Sequence, residues 1–148
     1  TIGEWQKAIS AYRIILDKWG DSGLEAQTIF DIAFCYFRDK KYEKAIEMFE
    51  KALPMLADKE QQAETQYWIG ESYFGLENYE AAVRELLKVG YNYPDFTQWS
   101  ASAELRAGEA YFNLGKFDKA RRIYKKLISK YGKFSNWGKE AAKRLEKM

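Results

Sequence analysis

The chain contains no histidine, and cysteine occurs only once, at Cys35. Histidine is the commonest side-chain general base and metal ligand, so its absence removes the usual catalytic pairs and most transition-metal sites. A single cysteine cannot form an internal disulfide, and Cys35 is interpreted as a small packed side chain of a helix rather than a nucleophile. We therefore predict a protein that is not an enzyme, with no catalytic residues, no metal site and no cofactor.

Proline is scarce as well, with only Pro54 and Pro94, and glycines occur singly, so no glycine-rich phosphate loop is present. No apolar run reaches the ~18 residues that suggest a membrane span, and the first four residues do not resemble a signal peptide. The apolar periodicity predicts an all-α chain in which Pro54 distorts the last turn of one helix. The helices are expected near 3–18, 24–38, 42–56, 60–75, 79–92, 97–113, 117–131 and 135–147.

One stretch of the chain recurs. Ile69–Ala82 reads as the end of a helix, a tight polar turn and the start of a second helix, and similar stretches occupy 32–45 and 107–120. The anchoring alanines Ala8, Ala45, Ala82 and Ala120 lie 37, 37 and 38 residues apart. A fixed period within roughly 20–50 residues is typical of stacked repeats.

Each copy of the repeat combines small and large residues at fixed spacings. The first helix carries a small residue (Ala33, Gly70 or Gly108), and the second helix carries one of the anchoring alanines. Because the distance between helix axes depends on the contacting side chains, we expect these small residues to mark the crossing points. A large side chain follows each alanine by one turn, at Tyr12, Phe49, Leu86 and Tyr124.

These residues resemble the tetratricopeptide repeat (TPR) family. Gly70, Tyr73, Ala82, Leu86 and Pro94 match the family's pattern in the second repeat, although the family's usual tryptophan is replaced by Ile29, Gln66 and Glu104. The resemblance implies a superhelix of antiparallel helix pairs, with about 7–8 helices. The expected units are a trailing half-repeat (1–22), three repeats (23–59, 60–96 and 97–134) and a C-terminal capping helix (135–148).

The linkers between repeats carry a second recurring phrase, at 18–22, 92–95 and 130–135. An aromatic residue precedes glycine or proline and then a polar capping residue, which is typical of helix ends. These linkers resemble those of bacterial cell-envelope TPR proteins, which have similarly long repeats. The resemblance favours the bacterial periplasm or cell envelope over the cytoplasm, while the compartment itself stays unknown.

In TPR proteins the first helix of each repeat lines the concave groove, and this resemblance implies a set of groove residues. Phenylalanine recurs at one groove position of every repeat (Phe37, Phe74 and Phe112), and acids recur at another (Glu71 and Glu109). The expected result is an aromatic groove whose acids hold a basic or amide-rich segment. The predicted groove residues are Phe30, Phe34, Phe37, Arg38, Tyr67, Trp68, Glu71, Phe74, Leu105, Arg106, Glu109, Phe112 and Asn113.

An alternative for Phe37, Phe74 and Phe112 is that they pack between neighbouring repeats and meet no ligand. The lysines and asparagines with which some TPR proteins clamp a terminal carboxylate are not matched, since Glu71 and Glu109 place the opposite charge in one of those positions. Chaperone binding of that kind is therefore disfavoured.

The net charge of +2 hides an asymmetry. Residues 1–114 contain 12 Lys/Arg and 19 Asp/Glu, or −7, whereas residues 115–148 contain 12 and 3, or +9. Such a basic block is typical either of contacts with anionic surfaces or of a solvated outer face. Its aromatics Phe117, Tyr124, Tyr131 and Trp137 are predicted to lie in the core.

The chain opens on a second helix without its first, which suggests a fragment of a longer repeat protein. We expect this helix to expose an apolar face including some of Trp5, Ala8 and Tyr12, which provides a route to a homo-oligomer.

Three functions remain open from the sequence. The favoured one is a non-enzymatic scaffold that binds a peptide or helix of a partner protein in the concave groove. The second is an assembly module that stacks or oligomerises through its ends. The third is a binder of nucleic acid or an anionic surface through the basic C-terminal helices. Nucleic acid is the less favoured partner, and a membrane surface is expected only through the parent protein.

Overall fold

The computed structural model describes residues 1–19 and 24–148. In these residues the chain forms eight α-helices and one short 3-10 helix, Leu53–Met55. The α-helices are α1 (Ile2–Trp19), α2 (Leu24–Arg38), α3 (Tyr42–Ala52), α4 (Lys59–Gly75), α5 (Tyr79–Asn92), α6 (Thr97–Asn113), α7 (Phe117–Tyr131) and α8 (Asn136–Glu146).

The predicted helices agree with these bounds except around Pro54. The helix expected over 42–56 ends at Ala52, and Pro54 lies at the start of the 3-10 turn that follows. Proline removes one backbone donor and clashes with the preceding turn, so it ends the α-helix instead of only distorting it.

Each helix packs against the next, and α4, α6 and α8 also contact one another in turn. The result is an all-α superhelix of antiparallel helix pairs. Its core consists of three successive apolar clusters, centred on residues such as Phe49, Leu86 and Tyr124. None of the helices in the described ranges combines the length and the apolar character needed to cross a bilayer.

In the second and third repeats, the close approach of the paired helices includes a contact between a glycine of the first helix and a large side chain of the second. A Cβ atom added to Gly70 would lie 2.5 Å from Leu86 Cγ, and one added to Gly108 would lie 2.5 Å from Tyr124 Cε1. In these two repeats the small residue of the first helix therefore receives the large side chain of the second helix. This contact is a packing reason for placing glycine inside a helix, where it costs roughly 1 kcal/mol relative to alanine.

The turn within each helix pair has the same backbone geometry in all three repeats. Lys40, Glu77 and Gly115 have φ angles of 57°, 58° and 70°. The next amide bonds back across the turn; the Lys41 N–H, for example, donates to the Tyr36 carbonyl oxygen at 2.9 Å. This left-handed cap satisfies carbonyls that the helix end leaves free, and glycine suits it best.

The linkers between repeats are less uniform than the sequence suggested. Ser135 caps α8 by accepting from the Gly138 N–H at 3.0 Å, as expected for a polar capping residue. Asp95 plays no such part, because α6 begins at Thr97 after Phe96 without a side-chain cap. The predicted linker residues 20–22 lie outside the described residues.

The aromatic residues of the basic block only partly follow their prediction. Tyr124 is fully buried, and Tyr131 and Trp137 pack against the third apolar cluster. Phe117 was predicted to lie in the core but is 46% exposed, because its position at the start of α7 leaves one side of the ring uncovered.

Candidate functional site

Helices α2, α4, α6 and α8 share one side of the superhelix, here called the first-helix face. Its N-terminal half is a continuous aromatic cluster formed by side chains of α2, α4 and α6. The ring of Trp68 lies 5.1 Å from Phe34 and 5.0 Å from Phe37, and Tyr67 lies 5.2 Å from Trp68 and 5.6 Å from Trp99. The cluster consists of Phe30, Phe34, Phe37, Tyr67, Trp68 and Trp99.

The recurring phenylalanines Phe37, Phe74 and Phe112 close the turn of their own helix pair. Each makes an edge contact with the aromatic residue that begins the next helix, at centroid distances of 5.5, 5.1 and 5.3 Å. Packing occurs within the repeat for all three and, for two of them, also between neighbouring repeats as the alternative supposed, since the ring centroid of Phe74 lies 4.7 Å from the guanidinium carbon of Arg106 in the next repeat. Phe37 also touches Trp68 of the next repeat, and Phe112 remains 42% exposed.

Charged residues take over in the C-terminal half of the face. Arg106 donates to Glu71 at 3.1 Å and to Glu109 at 2.9 Å, and Arg144 donates to Glu109 at 3.4 Å and to Glu140 at 2.9 Å. These five side chains form one alternating chain across α4, α6 and α8, here called the charge ladder. The acids expected to hold a basic partner segment are thus already paired with arginines of the protein itself.

The ladder follows the repeat period. In each case a residue of one first helix contacts a residue 34 or 35 positions later, on the next first helix. The three contacts are Phe34 with Trp68, Glu71 with Arg106, and Glu109 with Arg144. The residues at this pair of repeat positions thus form an aromatic contact at the N-terminal end of the superhelix and ion pairs further along it.

Burial and neighbouring charges shift the pKa values of several side chains on this face. Burial, followed by the charge of Glu71, raises the pKa of Tyr67 to about 12. Burial also raises the pKa of Glu64, although Trp68 Nε1–H donates to it. Burial alone would lower the pKa of Arg106, but the hydrogen bond and charge of Glu71 outweigh it, so this guanidinium stays charged.

Two adjoining cavities lie along the ladder, and together they are called the C-terminal groove. The first, of about 290 Å³, lies between α4, α6 and α8, and the second, of about 350 Å³, lies between α6, α7 and α8. Glu109, Glu140 and Arg144 line both. Within the described residues no group of three or more His, Cys, Asp or Glu side chains could hold a metal ion.

Five of the residues predicted for the groove line these cavities. Tyr67, Leu105 and Arg106 border the first cavity, Phe112 borders the second, and Glu109 borders both. All five lie on α4 and α6, so the predicted residues cover the side of the C-terminal groove that these two helices form.

Other predicted residues do not line it. Phe30, Phe34, Phe37 and Trp68 pack on one another in the aromatic cluster, and Arg38 lies 5.7 Å from the ring of Trp5 on α1.

Three predicted residues support the groove from its edge. Glu71 anchors the charge ladder, and Phe74 lies beneath Arg106, whose guanidinium carbon is 4.7 Å from the ring centroid. Asn113 is exposed and donates to the Glu109 carbonyl oxygen at 3.1 Å.

The side of the groove formed by α8 is missing from the predicted set, because 135–148 was interpreted only as a cap. A signal was available: Trp137 and Arg144 each follow their α6 counterparts, Trp99 and Arg106, by 38 residues. The lining residues on or directly after α8 are Asn136, Trp137, Glu140, Lys143, Arg144, Lys147 and Met148, and Ser102 of α6 and Tyr124 of α7 complete the lining.

Comparison with known proteins identifies the repeats. Models described as tetratricopeptide repeat match residues 2–58 and, in two further segments, 64–95 and 102–133. No curated protein matches the chain by sequence.

Several solved structures share the fold. The crystal structure of MamA superposes with a TM-score of 0.69 at 22% identity, over 98% of this chain and 91% of MamA. The apo form of RapI gives 0.78 at 20% identity over 94% of this chain, which spans only 42% of RapI. BtubC from P. vanneervenii gives 0.67 at 15% identity, over 97% of this chain and 62% of BtubC.

Proposed function

Because the chain belongs to the tetratricopeptide repeat family, we propose that it is a non-enzymatic scaffold that binds a peptide or helix of a partner protein on the first-helix face. The observation that carries this proposal is the C-terminal groove, with its two adjoining cavities along α4, α6 and α8. Fold alone does not assign function, so the proposal depends on this site.

The size and lining of the groove support a peptide ligand. Its cavities fall at the lower end of the roughly 300–1,000 Å³ range of small-ligand pockets, so each has room for one or two side chains. Leu105, Phe112 and Trp137 provide apolar contact, and Ser102 provides a hydroxyl for a peptide backbone. Because the ladder is internally paired, we expect apolar side chains and backbone groups, rather than charge alone, to provide most of the affinity.

The aromatic cluster would extend the same binding surface toward α2. Its rings are half-buried, so each retains an exposed edge while packed against its neighbours. Aromatic side chains fixed in this way are typical binding hot spots, since little conformational entropy is lost when a partner covers them.

A selection of displayed peptides against the chain tests this function. Ser102→Trp places a large ring in the first cavity, and Glu47→Trp places the same ring on the exposed outer side of α3 as the matched control. We expect selected peptides to bind the wild type and Glu47→Trp but not Ser102→Trp, with circular dichroism confirming that both variants fold. Peptides that bind all three proteins equally would refute groove binding.

A second candidate function is self-association through α1. The exposed apolar face of α1 was expected to include some of Trp5, Ala8 and Tyr12, and these three are half-buried against the core beside α2. In the described part of α1 the large apolar side chains that are exposed are Ile14 (57%) and Ile15 (39%). Light scattering of the wild type and of Ile14→Ser/Ile15→Ser tests this candidate. A concentration-dependent dimer that the double variant abolishes would support it, and a monomer at all concentrations would refute it.

A further inference from the structure

The solvent side of α7 is almost entirely basic. Ala120, Tyr124 and Leu127 turn inward and are buried, and the remaining polar positions are exposed. The only acid of this helix, Asp118, lies in its first turn and pairs with Arg121 at 3.3 Å. The exposed cations are Lys119, Arg121, Arg122, Lys125, Lys126 and Lys130.

Few of these charges are neutralised by the protein itself. Lys126 pairs with the buried carboxylate of Glu104 at 2.9 Å. Within the described residues Arg122, Lys125 and Lys130 form no ion pair, and Lys133 extends the row beyond the end of the helix. The cations are therefore available to an external anion.

An exposed aromatic ring lies at the end of this basic row. Phe134 is 76% exposed in the turn between α7 and α8, and the Lys133 ammonium nitrogen lies 4.9 Å from its ring centroid. A phenylalanine that is mostly exposed buries little apolar surface and so contributes little to the stability of the fold. A phenylalanine at the end of a row of cations suits the boundary between lipid headgroups and acyl chains, where the ring is desolvated and the lysines meet phosphates.

We propose that the outer side of α7, with Phe134, binds the surface of an anionic phospholipid bilayer. The helix would lie on the membrane, with the row from Lys119 to Lys133 over the phosphates and Phe134 inserted beside it. This surface shares no cation with the C-terminal groove, so a peptide in the groove leaves the cations of the row free for the membrane. The exposed ring favours a lipid surface over a nucleic acid, for which the basic row alone would suffice.

Co-sedimentation with vesicles tests the proposal. The vesicles contain phosphatidylcholine and phosphatidylglycerol in equal parts, with pure phosphatidylcholine as the neutral comparison. Each basic residue near an anionic surface is worth about fivefold in binding, so Arg122→Glu/Lys125→Glu is expected to bind at least about 25-fold more weakly. Lys7→Glu/Lys51→Glu changes the net charge equally at exposed positions elsewhere, and we expect it to bind like the wild type.

The aromatic anchor has its own variant. Phe134→Ser should weaken binding about tenfold, because it removes an apolar side chain that the membrane would bury, while the salt dependence stays that of the wild type. Absence of binding to the anionic vesicles, or an equal loss in both charge-reversal pairs, would overturn the proposal. Duplex DNA that binds more tightly than the vesicles would also overturn the proposal if Phe134→Ser leaves the DNA binding unchanged. This result would assign the basic row to nucleic acid.

Discussion

Replacing Gly108 with alanine tests whether the helix pairs depend on direct contact between a glycine and a ring. The added Cβ atom would lie 2.5 Å from Tyr124 Cε1 and 2.9 Å from Tyr124 Cζ. Favourable carbon–carbon contacts lie at about 3.5–4.0 Å, so the overlap is roughly 1 Å. Tyr124 is only 2% exposed and has little room to move.

The expected effect is the difference between two contributions. Overpacking a core typically costs about 1–3 kcal/mol, and alanine is better than glycine inside a helix by roughly 1 kcal/mol. Gly108→Ala should therefore destabilise the fold by up to about 2 kcal/mol and lower Tm by up to about 6 °C. Gly3→Ala is the matched control, because a Cβ there meets nothing within 4 Å and only the gain in helix propensity remains.

Urea denaturation followed by circular dichroism measures both variants. The contact itself is isolated by repeating Gly108→Ala in a Tyr124→Ala background, where the ring is absent. In that background the same substitution should become stabilising, by up to about 1 kcal/mol. If Gly108→Ala stabilises the wild type as much as Gly3→Ala does, the proposed role of this contact in the fold is wrong.

Three further predictions concern the turns, the charge ladder and its neighbouring tyrosine. Glu77→Gly should stabilise the fold and Gly115→Ala should destabilise it, each by about 1 kcal/mol, because both positions have left-handed φ angles. Urea denaturation measures both variants, and effects of the opposite sign would contradict the turn geometry. Arg106→Ala should cost about 1–3 kcal/mol by the same assay, since it leaves the largely buried Glu71 without its cation, and an unchanged midpoint would show that the ladder contributes nothing. Because the folded pKa of Tyr67 is raised to about 12 from 10.0, its stabilisation is complete below pH 10 and is lost as the pH rises toward 12. Tyr67→Phe should therefore flatten the fall in unfolding free energy over that range, and an unchanged slope would contradict the raised pKa.

The sequence was sufficient for most of the fold, because helix bounds, repeat period and core all follow from apolar spacing. The left-handed turn residues were not visible in two repeats, where Lys40 and Glu77 occupy the position that glycine marks only at Gly115. The end of α3 before Pro54 could not be predicted, because a proline near a helix terminus is compatible with either a distorted last turn or the end of the helix.

The candidate site was only partly predictable, and for a physical reason. A repeat pattern indicates which positions face the groove, but it does not show which of these side chains form ion pairs with one another. Glu71 and Glu109 look free in the sequence, yet Arg106, which lies one repeat after Glu71 and one turn before Glu109, pairs with both. The contribution of α8 could have been predicted from the spacing of Arg106 and Arg144, but the helix was interpreted as a terminal cap because it does not continue the small-residue pattern of the repeats.

Hydrogen exchange of the chain with and without a selected peptide tests the central claim most directly, because it reports which helices the ligand covers. Binding in the C-terminal groove predicts slower amide exchange in α4, α6 and α8, with the outer helices α3 and α5 unchanged. Protection confined to α3, α5 or the basic side of α7, with none on the first-helix face, would contradict the proposed binding site.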